Sequence, residues 1–385
     1  MAPRKQEDRI KQAYFLFIIK QEILLESLYH TSRAISPRNL IPILTGIKFE
    51  LNEDGLYLSA SDTDISIRCL IPIDKIEEVK EFGSIVIGGK YIVEIIKKLP
   101  NENITIEVMD GQKMIVSTAN TEFNLNGINS NEFPNLDLEE TKEPIMLKAG
   151  LIKKIISQTF FATSKNESRP ILTGINFRID GNLMEVIATD SYRLAKKSIQ
   201  LDRVIDNIIN MVIPGKNLLE LDKIINDEKE NLELHIFDNK ILFKYKDILF
   251  LSRLLSGTYP ATSSIIPNEF NVQVVCSCNG LFNMIDRASL LTSDRDKNTI
   301  KLELKHQEMV ISSNSPEIGM VQEKMFVDSQ DEIAISFSSK YMLDCIKSFE
   351  TENVTLYMNN DNSPIIIKSN EDESLVQLVL PIKTY

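Results

Sequence analysis

Apolar and polar positions along this chain switch repeatedly between a period of two and a period near 3.6. The middle of the chain shows it best. Pro144 to Lys148 predicts a short strand. From Leu151 to Thr163 the apolar residues fall at 151, 152, 155, 156, 160 and 161, which is one face of an amphipathic helix. Ile171 to Ile179, Leu183 to Thr189 and Leu194 to Ile199 read as strands, with a turn at Gly181 and Asn182. Asn210 to Ile213 is a further strand, and Gly215 to Ile225 a second helix. Leu232 to Phe237, Lys240 to Tyr245 and Ile248 to Leu254 complete the set as strands. Near the start, the apolar run from Ala13 to Ile19 ends at Lys20. That is far short of the roughly 20 residues a membrane span needs, so it predicts the first strand. Residues 1–13 read as a polar extension. Gln6, Glu7 and Asp8 separate its basic residues from the apolar run, and no small-residue cleavage site follows, unlike a signal peptide.

The same pattern recurs along the chain. PILTGIKF at Pro42 to Phe49 returns as PILTGINF at Pro170 to Phe177. Ala60 to Thr63 matches Ala188 to Ser191, VIGGK at Val86 to Lys90 matches VIPGK at Val212 to Lys216, and Phe133-Pro134 matches Tyr259-Pro260. A fainter third copy places ISFSSKYMLDCIKSF (Ile335 to Phe349) on the VIPGK helix pattern, and Ser312 to Ser315 on Ala188 to Ser191. Units of about 125 residues are too long for a solenoid and long enough to be domains. The expected division is 1–142, 143–268 and 269–385. Charged or Pro-closed junctions at Glu139 to Pro144 and Ile266 to Glu269 are too short for flexible linkers. Each unit reads as two helices packed on two antiparallel sheets, an α+β class.

Composition narrows the chemistry. The 385 residues carry a net charge of −12, which argues against general polyanion binding but leaves room for a local basic surface. Four cysteines (Cys69, Cys276, Cys278, Cys345) form no disulfide framework and fit a reducing, cytoplasmic compartment. His30, His235 and His306 lack ligand spacing, and Cys276-Ser277-Cys278 lacks a second pair, so no metal and no cofactor is expected. Asp62-Thr63-Asp64 is the most enzyme-like string, since paired acids can hold Mg²⁺. An enzyme of that kind would also use Asp190. The repeat favours a plainer reading: Asp62, Asp190 and Asn314 occupy one turn position per domain, where Asx side chains bond their own backbone. No Walker A, GxGxxG or GxSxG motif is present.

Several helices are basic within this acidic chain. Lys148, Lys153, Lys154 and Lys165 occur without an acid between them, and Arg169 follows. Lys90, Lys97 and Lys98 surround the single acid Glu94. One such helix alone is an ordinary solvated face; several across repeats suggest a surface for phosphates. There is no aromatic interleaving and no groove-reading motif, so a nucleic acid bound there would be held by its backbone, without sequence preference.

RNLIPILTGIKF, RPILTGINF, ATDSYRLA, VIPGKNLLEL, SSNSPEIG and the terminal LVLPIKTY together resemble the bacterial sliding-clamp family, the beta subunits of DNA polymerase III. The resemblance runs from about Phe15 to Tyr385. It implies the DNA-clamp fold and a head-to-tail homodimer that closes into a ring of six similar domains around duplex DNA. It implies no catalysis, but processivity for the DNA polymerase catalytic subunit, loading by a clamp-loader ATPase, and docking of other replication and repair proteins. DNA contacts are expected at Arg38, Lys97, Lys98, Lys153, Lys154, Lys165 and Arg169. The resemblance implies a subunit interface at Phe123 in FNLNGI and at Leu290 and Leu291 in DRASLL. It also implies an apolar cleft for partner peptides. Its matching positions are Leu172, Thr189, Ser191, Tyr192, Arg193, Leu194, Pro260, Ile265, Pro364, Leu378, Val379, Leu380, Pro381 and Ile382. Tyr192 stands where the family commonly has His, and Ser264 where some relatives have Arg. The alternative is a divergent copy that competes for partners or regulates replication.

Overall fold

A computed structural model describes residues 15–36 and 40–383. Residues 1–13 of the expected extension lie outside the described residues. Contacts divide the chain into two compact units, 1–151 with 219–253, and 152–218 with 254–385. Residues 143–268 are thus shared between the units, for a reason visible in the strand pairing.

The first unit opens with β1 (Phe15–Lys20), α1 (Gln21–Ser32), β2 (Gly46–Asn52), β3 (Gly55–Ser61) and β4 (Ile65–Pro72). β5 (Glu78–Glu81), β6 (Gly83–Gly88), α2 (Gly89–Lys98), β7 (Asn103–Met109), β8 (Lys113–Ser117) and β9 (Glu122–Asn126) follow. Then come β10 (Ile145–Lys148), α3 (Ala149–Thr159), β11 (Gly174–Thr189), β12 (Arg193–Pro214) and α4 (Gly215–Ile224). β13 (Asn231–Ile236), β14 (Lys240–Tyr245) and β15 (Ile248–Arg253) return to the first unit. One of its sheets has the order β5-β1-β7-β8-β9; the other joins β10-β13-β14-β15 to β4-β3-β2-β6. The join is an antiparallel pair running from Ile248 opposite Cys69 to Ser252 opposite Ile65.

The second unit continues with β16 (Val272–Ser277), α5 (Cys278–Ser289), β17 (Thr299–Lys305), β18 (Glu308–Ser315) and β19 (Gly319–Phe326). It ends with β20 (Ile333–Ser338), α6 (Ser339–Lys347), β21 (Asn353–Met358), β22 (Ile365–Ser369) and β23 (Asp372–Val379). One sheet has the order β19-β18-β17-β20, the other β11-β12-β23-β22-β21-β16. Here β12 pairs with β23, from Arg193 opposite Val379 to Lys197 opposite Leu375. Neighbouring repeats therefore share a sheet, and the middle repeat gives half its strands to each unit.

Local chemistry explains the element ends. Pro42 and Pro170 each open a 3-10 turn, where a missing N–H costs nothing. The glycine after each turn has no room for a side chain: a Cβ on Gly46 would sit 2.5 Å from Val86 Cγ1, and one on Gly174 2.6 Å from Val212 Cγ1. Ser277 and Ser338 cap α5 and α6 by accepting the N–H of Gly280 (3.2 Å) and Tyr341 (3.4 Å). The helices then bury one stripe each, as α2 does with Ile92, Val93 and Ile96.

Three expectations change in detail. The helix from Leu151 begins two residues earlier and tightens to a 3-10 turn at Phe160–Ala162. The separate strands expected on either side of Gly181, and at Leu194 and Asn210, merge into β11 and β12. Gly181 takes φ +63° and bridges to Ile205, with register shifts on both sides. In the third repeat Asn314 does not sit at a turn; it lies within β18 opposite Met320.

Candidate functional site

The second unit carries an apolar floor across two of its strand neighbours. Leu172, Ile187, Leu194, Val212, Tyr259, Ile366 and Leu378 form one buried cluster, with Leu255, Ile266, Phe270 and Leu380 packed against it. Pairing explains the assembly: Ile366 stands opposite Leu378, and Leu378 opposite Leu194, so these side chains share a face. Of the expected cleft residues, Leu172, Leu194, Leu378 and Leu380 come together here. Val379 does not. It is one residue on from Leu378, points to the other face of β23, and belongs to the core of α5, α6 and their sheet.

The rim is polar and internally fastened. Thr189 donates its N–H to the Tyr259 hydroxyl (3.0 Å) and its own hydroxyl to the Arg193 carbonyl (2.6 Å). Asp190 Oδ1 accepts the backbone N–H groups of Tyr192 (2.9 Å) and Arg193 (3.0 Å), with Ser191 at φ +78° between them. Asp62 does the same for Asp64 (3.0 Å) and Ile65 (2.8 Å), with Thr63 at φ +82°. Asp62 and Asp190 thus both serve as Asx turns, each with Oδ1 engaged by the backbone that follows it.

Arg193 is 6% exposed. Its Nε donates to Asp190 Oδ2 (3.1 Å) and its Nη1 to Asp344 Oδ2 (2.5 Å). The guanidinium lies 4.5 Å from the Tyr341 ring centre and 5.4 Å from that of Phe161. Burial opposes its charge, but the Asp344 bond and the two carboxylates outweigh burial and hold its pKa above the ordinary value. Tyr341 in turn stacks on Tyr192, with centroids 6.3 Å apart. This pair stands at the edge of two cavities. One, of about 390 Å³, is lined by Lys165, Arg169, Leu172, Ser191 and Lys340. The other, of about 680 Å³, is lined by Leu380, Pro381, Ile382 and Lys297. Pro260 follows Tyr259 half-buried, Ile265 is 39% exposed, and Pro364 is half-buried just before β22.

The expected DNA contacts separate. Arg38 lies outside the described residues. Lys97 and Lys98 are exposed in the last turn of α2, Lys97 at 3.9 Å from Glu94. Lys153 is half-buried on α3. Lys154 pairs with Glu350 (3.0 Å) and Asp372 (4.0 Å), which neutralises it locally. Lys165 and Arg169 belong to the wall of the 390 Å³ cavity, and Arg169 donates to the Ser191 hydroxyl (3.0 Å). The sequence placed Lys340 and Asp344 on the matching helix of the third repeat but gave them, Tyr341 and Phe161 no part in the site.

Two sheet edges expose apolar side chains. In the first unit β9 is an edge strand with Phe123 36% exposed. In the second, Leu290 is 77% exposed after α5, Leu291 is half-buried, and the edge strand β19 exposes Met320 and Phe326. Such edges invite pairing with another chain.

Among the described residues, Glu140, Glu233 and His235 have metal-ligand spacing. The Thr141 N–H donates to His235 Nδ1 at 2.9 Å, and Nε2 lies 3.2 Å from Glu233. Lys244 holds Glu140 at 2.7 Å. These bonds fasten the segment after Leu138.

Comparison with known proteins agrees from residue 15 to residue 383. Three family models match in order: DNA polymerase III beta subunit N-terminal domain over residues 15–137, central domain over 146–261, and C-terminal domain over 263–383. The chain is 42% identical over 376 residues to a beta sliding clamp of Bacillus subtilis, covering 96% of this chain and 100% of the relative. It is 39% identical over 377 residues to one from Staphylococcus aureus, covering 96% and 99%. Among solved structures, the DNA polymerase sliding clamp of Bacillus subtilis superposes with a TM-score of 0.93 at 40% identity, over 97% of this chain and 100% of that one. The beta subunit of Streptococcus pyogenes gives 0.91 at 32%, over 96% and 100%.

Proposed function

This chain belongs to the DNA polymerase III beta subunit family, the bacterial sliding clamps, and on that premise we propose how its residues divide the work. The carrying observation is that three beta-subunit domain models follow one another over residues 15–383. The protein is a non-catalytic accessory subunit that encircles duplex DNA and makes the replicative polymerase processive. Its domains are read as 1–142, 143–268 and 269–385. Two copies close head to tail, using the β9 edge with Phe123 on one and the β19 edge with Leu290 and Leu291 on the other. Retention is topological, so screened contacts from Lys97, Lys98, Lys153 and the undescribed Arg38 suffice, without sequence preference. The apolar floor of the second unit receives short peptides of the polymerase, the clamp-loader ATPase and other replication and repair proteins. Leu172, Leu194, Leu378 and Leu380 take the anchors, and Arg193 with Tyr192 shapes the rim.

No helix among the described residues is long and apolar enough to cross a membrane. The reading places the protein in the cytoplasm, where four free, buried thiols are stable. The test is solution mass by light scattering across a concentration series. Twice the chain's 43.8 kDa is expected. A mass that stays at one chain throughout overturns the ring.

A further inference from the structure

The internal repeat lets one part of the molecule serve as a control for another. In the second unit the strand pair β11 and β12 places Ile187 opposite Lys196. The repeat partners of these residues in the first unit are Ser59 and Arg68, which stand opposite each other on β3 and β4. Lys196 is neutralised by Glu185. The repeat partner of Glu185 is Tyr57, so the first unit has no acid there. Arg68 instead lies over the Tyr57 ring, 5.8 Å from its centre, with its Nε 3.4 Å from the Ser59 hydroxyl. It has no ionic partner among the described residues.

Arg68 opens into a cavity of about 210 Å³ whose wall contains no carboxylate. Lys48, opposite Ser59 on β2, adds a second cation, itself bonded to Glu50 at 2.5 Å. Ser130 and Asn131 supply a hydroxyl and an amide, and Phe133 forms one apolar wall. Phe133 is the repeat partner of Tyr259, and Ser59 of Ile187, both in the apolar floor of the second unit. The same scaffold position is thus apolar in one unit and cationic, with hydroxyl groups, in the other.

We propose that the cavity around Arg68 binds a small oxyanion, a phosphate or a carboxylate, at a site distinct from the peptide cleft. A half-buried guanidinium presents a planar fork that matches either group, and with Nε on the Ser59 hydroxyl and no acid at position 57, no carboxylate takes its charge. The proposal is independent of ring formation, because every group it uses lies in the first unit.

The experiment follows the melting temperature of the full chain in rising inorganic phosphate, and separately in glutarate, with ionic strength held constant by chloride. Wild type should show a saturable rise; at ten times the dissociation constant the folding equilibrium shifts about elevenfold. Arg68→Gln should abolish the rise. Tyr57→Glu, which installs the acid found in the other repeat, should abolish it with Arg68 still in place. Lys196→Gln should leave it intact. A response to phosphate alone marks a phosphate site, and a response to glutarate a carboxylate site. Equal responses in wild type, Arg68→Gln and Tyr57→Glu, or no response in wild type, overturn the proposal.

Discussion

Arg193 keeps its charge in a nearly buried place because Asp190 and Asp344 face it from two sides. Asp344→Asn leaves one carboxylate for a buried guanidinium. Discounted for the 39% exposure of Asp344, the loss should be about 1–3 kcal/mol by urea unfolding. Tyr341 loses part of its support, so affinity for an apolar clamp-binding peptide should fall several-fold in the same variant. Stability lost with peptide affinity unchanged would separate Arg193 from docking. The thiols make a second case. Burial pushes Cys69 and Cys276 up to about 12 and raises Cys345 further. Burial raises Cys278 as well, so all four thiols are held in the protonated, unreactive form. A thiol reagent at about pH 8 should label none of the four in the folded protein and all four in denaturant. Rapid labelling of Cys69 would show that its strand opens. The sequence located the apolar anchors but not their direction. Leu378 and Val379 look alike as letters, and only the pleat of β23 sends one to the cleft and the other to the core.

Lys97 and Lys98 close α2, where cations also complement the helix dipole. Replacing both with Gln should flatten the salt dependence of DNA association by between one and two units of slope. Lys154→Gln alone should leave it unchanged, because Glu350 already holds that ammonium. A flattened slope for Lys154→Gln would mean the ion pair opens on DNA. On β19, Phe326→Asp puts a charge on an exposed edge, and light scattering should then report a single chain. An undisturbed dimer would place the interface elsewhere. The helices and most strands were legible from period alone, because each buries one regular stripe. The turns were legible only in part. Asp62 and Asp190 announced theirs by repeating, while Asn314 repeats the position and not the turn, since β18 runs through it. Sheet sharing was not legible, because nothing local in β15 or β23 says that β4 or β12 is its neighbour.

The three repeats become two compact units because each junction is a strand pair inside a continuous sheet. This suits a protein that must hold its domains in fixed order. A net charge of −12 is compatible with DNA because the ring is held by closure and needs only a few local cations. The central claim is therefore topological, and retention on DNA tests it most directly. Loaded by its ATP-driven partner onto nicked circular DNA, the protein should remain bound in high salt. It should be lost when one cut linearises the circle. Equal retention on circular and linear DNA, or equal loss from both, would contradict a sliding ring.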